Sequence, residues 1–249
     1  MDLMLILVSM AMTLIAAALT VPAGFGLATM LTPVVLFWLP PHEAVAVVAI
    51  VHGAHNAWKL KVLRTNVDTN AIRRYGWALI LGAIIGAVLH SFIPSSPLLL
   101  VVGLALVILP ILSVTEKWTD FRLPEAEDRI GGFGSGFFGG LTGHQGALRA
   151  MFLQKRLPDK VAYAATASVL ALAVDLTRIP IYLMFGGTAI LDEYILIPCL
   201  VVSAIVGVHL GKRWLIKWKQ TRISIGILTA IVGSGILYIY EAVTALNYL

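Results

Sequence analysis

The sequence predicts an all-α integral membrane protein. Hydrophobic residues make up 59% of the 249 residues and charged residues only 12%, which leaves too little polar surface for a water-soluble globule. Several apolar stretches have about the ~20 residues that cross a bilayer as a helix. They lack the period-two alternation of barrel strands, so helices must satisfy the backbone in lipid. These predicted spans cover 3–20, 42–58, 75–93, 97–114, 161–185, 194–211 and 223–243.

The basic residues predict how these spans are oriented. All but two of the 18 Lys and Arg residues, Arg149 and Arg178, fall into four stretches. These stretches cover 59–74, 117–129, 155–160 and 212–222. Because Lys and Arg are enriched in cytoplasmic loops, we place all four in the cytoplasm and both termini on the external side. The expected location is the cell (inner) membrane, and the loop charges account for the basic balance without nucleic-acid binding.

Two apolar segments are broken by glycines, the first at 21–26 and the second at 141–146. We predict each segment to be a hairpin of two short helices, followed by three spans. Since three is odd, the halves have opposite orientation, and paired breaks in inverted halves indicate the central site of a secondary transporter. The predicted units are repeat 1 over 1–114 with its hairpin at 3–38, a cytoplasmic linker over 115–129, and repeat 2 over 130–249 with its hairpin at 130–156.

A glycine-containing element lies at each break. The element at 24–33 reads GFGLATMLTP, and the one at 143–152 reads GHQGALRAMF. At these residues and in its repeat layout, the chain resembles the TauE/SafE family of sulfite and organosulfonate exporters, whose halves each carry a G-x-G-G-G-x-x-x-x-P-like element. The resemblance implies movement of a small sulfur oxyanion or sulfonate across the cytoplasmic membrane, usually outward, without nucleotide hydrolysis. The sequence contains no G-x-x-x-x-G-K-[ST] loop, in agreement with this implication.

Arg149 is the first candidate for binding an anion. It follows Gln145 at the predicted hairpin tip by four positions and lies about 9 Å inside the boundary marked by Lys155, at 1.5 Å per residue. A guanidinium at that depth costs at least ~2.5 kcal/mol unless it is paired or wetted. The helix that begins near Gly146 also directs its free N–H groups at the break. In the alternative interpretation the hairpin is shallow, and Arg149 snorkels back to the interface.

Other residues are expected to line the same cavity as substrate-binding residues. A histidine at the second break could change charge between about pH 5 and 8 and couple transport to protons. Glycines at both breaks would let the backbone approach the substrate. Three polar residues share one face of the span at 42–58, where hydrogen bonding between helices is the alternative role. The candidates are His144, Gln145, Gly143, Gly146, Gly24, Gly26, His52, His55, Asn56, Thr166 and Ser168.

Arg178 is expected to form a structural or gating ion pair with Asp175, three residues earlier on the same span. The glycines at 24 and 143 are 119 positions apart and the prolines at 41 and 158 are 117 apart, so small insertions or deletions separate the halves. At a spacing of 117, Arg178 corresponds to Lys61, which lies at a membrane edge. We therefore expect Arg178 to approach the outer face.

The predicted function is secondary transport of a small sulfur-containing anion, sulfite or an organosulfonate, by alternating access and in the direction of export. The alternatives are a passive anion channel and a transporter of another small anion such as a carboxylate. An enzyme is not predicted, because the stretch GFGSG at 132–136 departs from a serine-hydrolase elbow. No cofactor or metal is expected, since His52 and His55 lack a third ligand at suitable spacing. The expected partners are the anion and the lipid bilayer, with the chain as a monomer or homodimer.

Overall fold

The computed structural model describes residues 3–23, 26–118, 127–186, 193, 195–215 and 220–247. Within these ranges the chain is helical and contains no strand, as the composition predicts. A short 3-10 turn, Arg64–Asn66, follows the third of the helices. The helices are α1 (Leu3–Ala23), α2 (Leu27–Leu36), α3 (Pro41–Leu63), α4 (Thr69–Phe92), α5 (Ser95–Trp118), α6 (Glu127–Thr142), α7 (Gly146–Arg156), α8 (Lys160–Gly186), α9 (Leu196–Leu215) and α10 (Gln220–Asn247).

Four segments of the described helices are long and apolar enough to cross a membrane. They are Leu3–Val21, Thr69–Phe92, Lys160–Phe185 and Leu196–Arg213. α3 is less apolar because its central turns carry His52, His55 and Asn56, and all three side chains are buried against other helices.

Several helices extend beyond the apolar runs that predicted them. α4 begins six residues before the predicted span because Asp68 caps its N-terminus, with Oδ1 accepting a hydrogen bond from the backbone N–H of Ala71 at 2.9 Å. The first turns of α4 are polar, so hydropathy did not reveal them. The basic stretch at 59–74 is therefore mostly helical rather than a loop.

The basic stretches next to α3, α4, α8 and α9 meet at one end of the bundle. Near the end of α3, the Trp58 ring lies 5.8 Å from the His209 ring of α9, between centroids. The backbone N–H of Asp68, before α4, donates to Oγ1 of Thr166 in α8 at 2.9 Å. These contacts define what we call the basic end, where α3 and α9 end and where α4 and α8 begin.

Glycines bring α4 and α6 into close parallel contact. A Cβ atom at Gly132 would lie 2.5 Å from the carbonyl oxygen of Tyr75, and one at Gly140 would lie 2.7 Å from the backbone nitrogen of Ala87. Small residues four apart allow this approach of two backbones in a membrane. Because residue numbers rise together along both helices, α6 runs in the same direction as α4, away from the basic end.

α1 and α9 pack in a corresponding way. A Cβ atom at Gly207 would lie 2.7 Å from the carbonyl oxygen of Leu14, and one at Gly211 would lie 2.8 Å from Cβ of Val21. α1 is therefore parallel to α9 and runs towards the basic end. The two hairpins, α1–α2 and α6–α7, enter the bundle from opposite ends.

The helix contacts are consistent with the predicted inverted repeat. In the predicted repeat, helices α1 to α5 are equivalent to helices α6 to α10 in the same order. The contact of α1 with α9 then corresponds to that of α6 with α4, and the contact of α3 with α9 corresponds to that of α8 with α4. α3 packs on α8 and α5 packs on α10, so each of these pairs joins equivalent helices. The two hairpins consequently lie on either side of the central α3–α8 pair.

Candidate functional site

Both hairpins are broken at a glycine in the left-handed region of backbone conformation. Gly26 has a φ of 113° and Gly143 a φ of 84°, and no other residue in the described ranges has a positive φ. A side chain would be strained at either position, which explains why glycine occurs there. The candidate Gly24 lies outside the described residues, whereas Gly146 is the first residue of α7.

On one side of the second break, the C-terminal carbonyls of α6 are capped by side chains from other helices. Nη1 of Arg178 donates to the carbonyl oxygen of Gly139 at 3.0 Å, and the Tyr182 hydroxyl donates to that of Gly140. Nδ1 of His90 donates to the carbonyl oxygen of Leu141 at 2.9 Å. The last turn of a helix leaves such carbonyls without partners and carries a partial negative charge, so a cation stabilises it.

Arg178 also belongs to a buried network between the two halves. Its Nη2 lies 2.8 Å from Oδ1 of Asp175, and its Nε lies 3.0 Å from the same oxygen. The other carboxylate oxygen of Asp175 lies 2.7 Å from Nδ1 of His52 in α3. One carboxylate thus holds a cation of α8 and an imidazole of α3.

The position of Arg178 differs from the sequence-based expectation. Its side chain is 0% exposed and reaches inward to the hairpin, not towards the outer face. The repeat spacing explains the difference, since α3 begins at Pro41 and α8 begins at Lys160, 119 positions later. With this spacing Arg178 aligns with Lys59 instead of Lys61, and Lys59 is also buried.

On the other side of the break, the N-terminus of α7 has no side-chain cap. Nη1 of Arg149 donates to Oε1 of Gln145 at 2.8 Å, which turns the guanidinium towards the break. The backbone carbonyl of Gln145 accepts a hydrogen bond from Oγ of Ser135 in α6 at 3.2 Å. Arg149 is only 2% exposed, so its guanidinium lies in the interior and not at the interface.

Several polar side-chain atoms at this break are buried and have no hydrogen-bond partner within the described residues. They include Nε of Arg149, Nε2 of Gln145, both ring nitrogens of His144, and Nη2 of Arg178, which forms an ion pair with Asp175 but no hydrogen bond. One of the two nitrogens of a neutral imidazole can donate. His144 and Gln145 are 2% and 1% exposed. Nearly all buried polar groups in proteins form hydrogen bonds, so orphaned donors concentrated in one place indicate a site for a hydrogen-bond acceptor.

The interior also carries an excess of positive charge. Among the described residues, the buried cations are Lys59, Arg149 and Arg178, whereas Asp175 is the buried acid. Asp175 pairs with Arg178, and no carboxylate among the described residues forms an ion pair with Lys59 or Arg149. Burying a cation without a counter-charge is costly, and a bound anion would lower that cost.

Lys59 was not among the predicted site residues, because it belongs to the basic stretch at 59–74 that was expected to be cytoplasmic. It lies seven residues after His52 and three after Asn56, so all of these side chains share one face of α3. That periodicity was the signal that could have identified it. Tyr75 and Tyr163, which are buried near Arg149, carried no comparable signal, because a tyrosine close to a basic stretch is expected at the membrane interface.

The other candidates are buried but engaged in local bonds. Nδ2 of Asn56 donates to the carbonyl oxygen of His52 at 2.8 Å. His55 is the exception, since it lies beside α1 and neither of its ring nitrogens has a hydrogen-bond partner among the described residues. Oγ of Ser168 donates to the carbonyl oxygen of its own helix four residues earlier, at 2.6 Å. Oγ1 of Thr166 accepts the backbone hydrogen bond that positions the start of α4. Arg149, His144 and Gln145 are therefore the candidates that retain unpartnered donors at the second break.

The profile of one protein family, described as sulfite exporter TauE/SafE, matches residues 9–238. The chain belongs to this family. The matched region includes the second hairpin, the first hairpin from residue 9 onwards and every residue of the buried charge network. The resemblance seen in the sequence is confirmed. TauE/SafE proteins are membrane transporters of sulfite and related sulfur anions. The buried cations Lys59, Arg149 and Arg178 therefore lie inside a protein of a transporter family. No curated protein and no solved structure matches the chain.

Proposed function

We propose that this TauE/SafE protein is a secondary transporter that binds a small sulfur-containing anion, sulfite or an organosulfonate, at the break between α6 and α7. The excess positive charge of Lys59 and Arg149 in the interior is the observation that carries this proposal. A buried cation without a counter-charge is costly in a membrane, and a substrate anion supplies the missing charge.

The arrangement of donors suits an oxyanion. The guanidinium of Arg149 presents parallel N–H groups that can bind two oxygens of a sulfite or sulfonate group at once. The uncapped N-terminus of α7 adds backbone N–H groups and its positive dipole end. His144 and Gln145 supply further donors for the remaining oxygen. Arg178 is not assigned this role because Asp175 already compensates its charge.

Cavities at both ends of the bundle support alternating access. One, of about 250 Å³, is lined by His42, His90 and Tyr182 among others, at the end opposite the basic end. Another, of about 200 Å³, lies at the basic end and reaches Tyr75. His90, Tyr182 and Tyr75 all bond to carbonyls of α6, since the Tyr75 hydroxyl donates to Gly131 at 2.7 Å. A shift of the second hairpin would therefore exchange contacts at both ends.

Transport into vesicles tests this function. We expect purified protein in liposomes to take up radiolabelled sulfite or a sulfonate by a saturable route, and unlabelled anion inside the vesicles to accelerate that uptake. Such exchange is the property of a carrier with one alternating site, because return of a loaded site is faster than return of an empty one. Net uptake into vesicles without internal anion should be electrogenic, so a membrane potential that is negative inside the vesicle should slow it.

Two results would contradict the proposal. Uptake of sulfur anions no faster than into protein-free vesicles would remove the substrate assignment. Rapid uptake that internal anion does not accelerate, and that never exceeds the level set by the membrane potential, would indicate a channel instead. An excess of unlabelled acetate serves as the control for carboxylates and is expected not to compete.

A further inference from the structure

A second concentration of positive charge lies at the basic end. A cavity of about 520 Å³ opens there between α4, α6 and α7. Four guanidinium groups and one carboxylate line it, so its net charge is positive. Its lining residues are Arg73, Arg74, Trp77, Asp128, Arg129 and Arg156.

The carboxylate in this cavity neutralises only one of the arginines. Oδ1 of Asp128 lies 3.3 Å from Nε of Arg156. In the ranges that the structure describes, Arg73, Arg74 and Arg129 form no ion pair. Three like charges around one cavity repel each other, and an anion bound between them would lower that repulsion.

The cavity lies beside the lipid-facing surface of α4. Arg73 and Trp77 are four residues apart and so share one face of the helix. That face continues in Ile80 and Ile84, whose side chains are 41% and 42% exposed although strongly apolar. Exposed apolar side chains on a membrane helix contact lipid, and tryptophan prefers the interface. Arg73, about 6 Å nearer the basic end than Trp77, lies at the level of the lipid headgroups.

We propose that this cavity binds the phosphate of an anionic phospholipid from the adjacent leaflet. Phosphate oxygens accept hydrogen bonds from the parallel N–H groups of arginine, and basic pockets between membrane helices bind anionic headgroups. The volume is within the usual range for ligand sites. The guanidinium of Arg129 lies 5.7 Å from the centre of the Trp77 ring, which holds one arginine at the border between cavity and lipid.

Lipid-dependent melting of the purified protein in neutral detergent tests this site. Phosphatidylglycerol is expected to raise the melting temperature of the wild-type chain, whereas phosphatidylcholine is not, since a ligand of the folded state stabilises it. The variant Arg73→Gln/Arg74→Gln should lose at least about half of the rise. The matched control is Lys212→Gln/Arg213→Gln, which removes the same charge from exposed residues at the end of α9 and should keep the full rise.

The remaining results overturn the proposal. Equal rises in the two double variants would show that the lipid is attracted by overall charge and not by this cavity. Inorganic phosphate or sulfite that raises the melting temperature as much as the lipid, and loses that effect in the Arg73→Gln/Arg74→Gln variant, would make the cavity a site for a soluble anion. If that variant does not fold, Arg129→Gln is measured instead. Arg129 contacts the exposed ring of Trp77, so its replacement should disturb the fold little.

Discussion

Replacing Arg149 by glutamine is expected to slow transport of the sulfur anion by more than about tenfold, because removing one partner of a buried charge pair costs about 2–5 kcal/mol of binding free energy. Glutamine can still bond to Gln145, so the hairpin should keep its shape while the charge is lost. The initial rate of uptake into vesicles, measured over a range of anion concentrations, gives the effect.

Arg149→Lys separates charge from geometry. Lysine keeps the positive charge but lacks the planar fork, so we expect an intermediate rate with weaker apparent affinity. Arg213→Gln, which removes an exposed cation at the end of α9, is the matched control and should transport like the wild type. If Arg149→Gln transported at the wild-type rate, Arg149 would have no part in binding, and the proposed site would be wrong.

Asp175→Asn is expected to give the largest loss of stability. The carboxylate compensates Arg178 at 2.8 Å and contacts His52 at 2.7 Å, and all three groups are buried. Removing one partner of a buried ion pair leaves the other charge uncompensated and typically costs about 3–5 kcal/mol. The melting temperature of the purified variant in detergent measures this loss.

A double variant tests whether the loss arises from the unpaired cation. Asp175→Asn/Arg178→Gln removes both charges, and its glutamine can still donate to the carbonyl of Gly139. We expect this variant to be more stable than Asp175→Asn alone, because the charge left without a partner is gone. The single variant Arg178→Gln is measured as well. If the losses of stability of the two single variants simply add up in the double variant, the two charges do not interact.

The helices and both hairpin breaks could be predicted from the sequence because lipid imposes simple demands on it. Continuous apolar runs must be helical, and glycine at Gly26 and Gly143 permits the left-handed conformation that each break requires. Arg149 was identifiable because a cation close to a break has no other ready explanation. Helix ends were less accurate, since polar first turns such as that of α4 carry no hydropathy signal.

The rest of the site depends on packing that local patterns do not contain. Asp175 contacts His52 across 123 positions of sequence, and Arg178 reaches a carbonyl 39 positions away. A repeat spacing wrong by two residues was enough to align Arg178 with the exposed Lys61 instead of the buried Lys59. Whether a cation at a given depth faces lipid, another helix or a cavity is decided by which helices meet there.

Anion binding to the purified protein tests the central claim, that the break between α6 and α7 holds the substrate against Arg149. Sulfite is titrated into wild type and Arg149→Gln in detergent while the melting temperature is followed, with chloride at equal ionic strength as the reference. We predict a saturable rise in the wild type, corresponding to about 2.7 kcal/mol at a hundredfold excess over Kd, and little or no rise in the variant. Equal rises in both proteins would contradict the account.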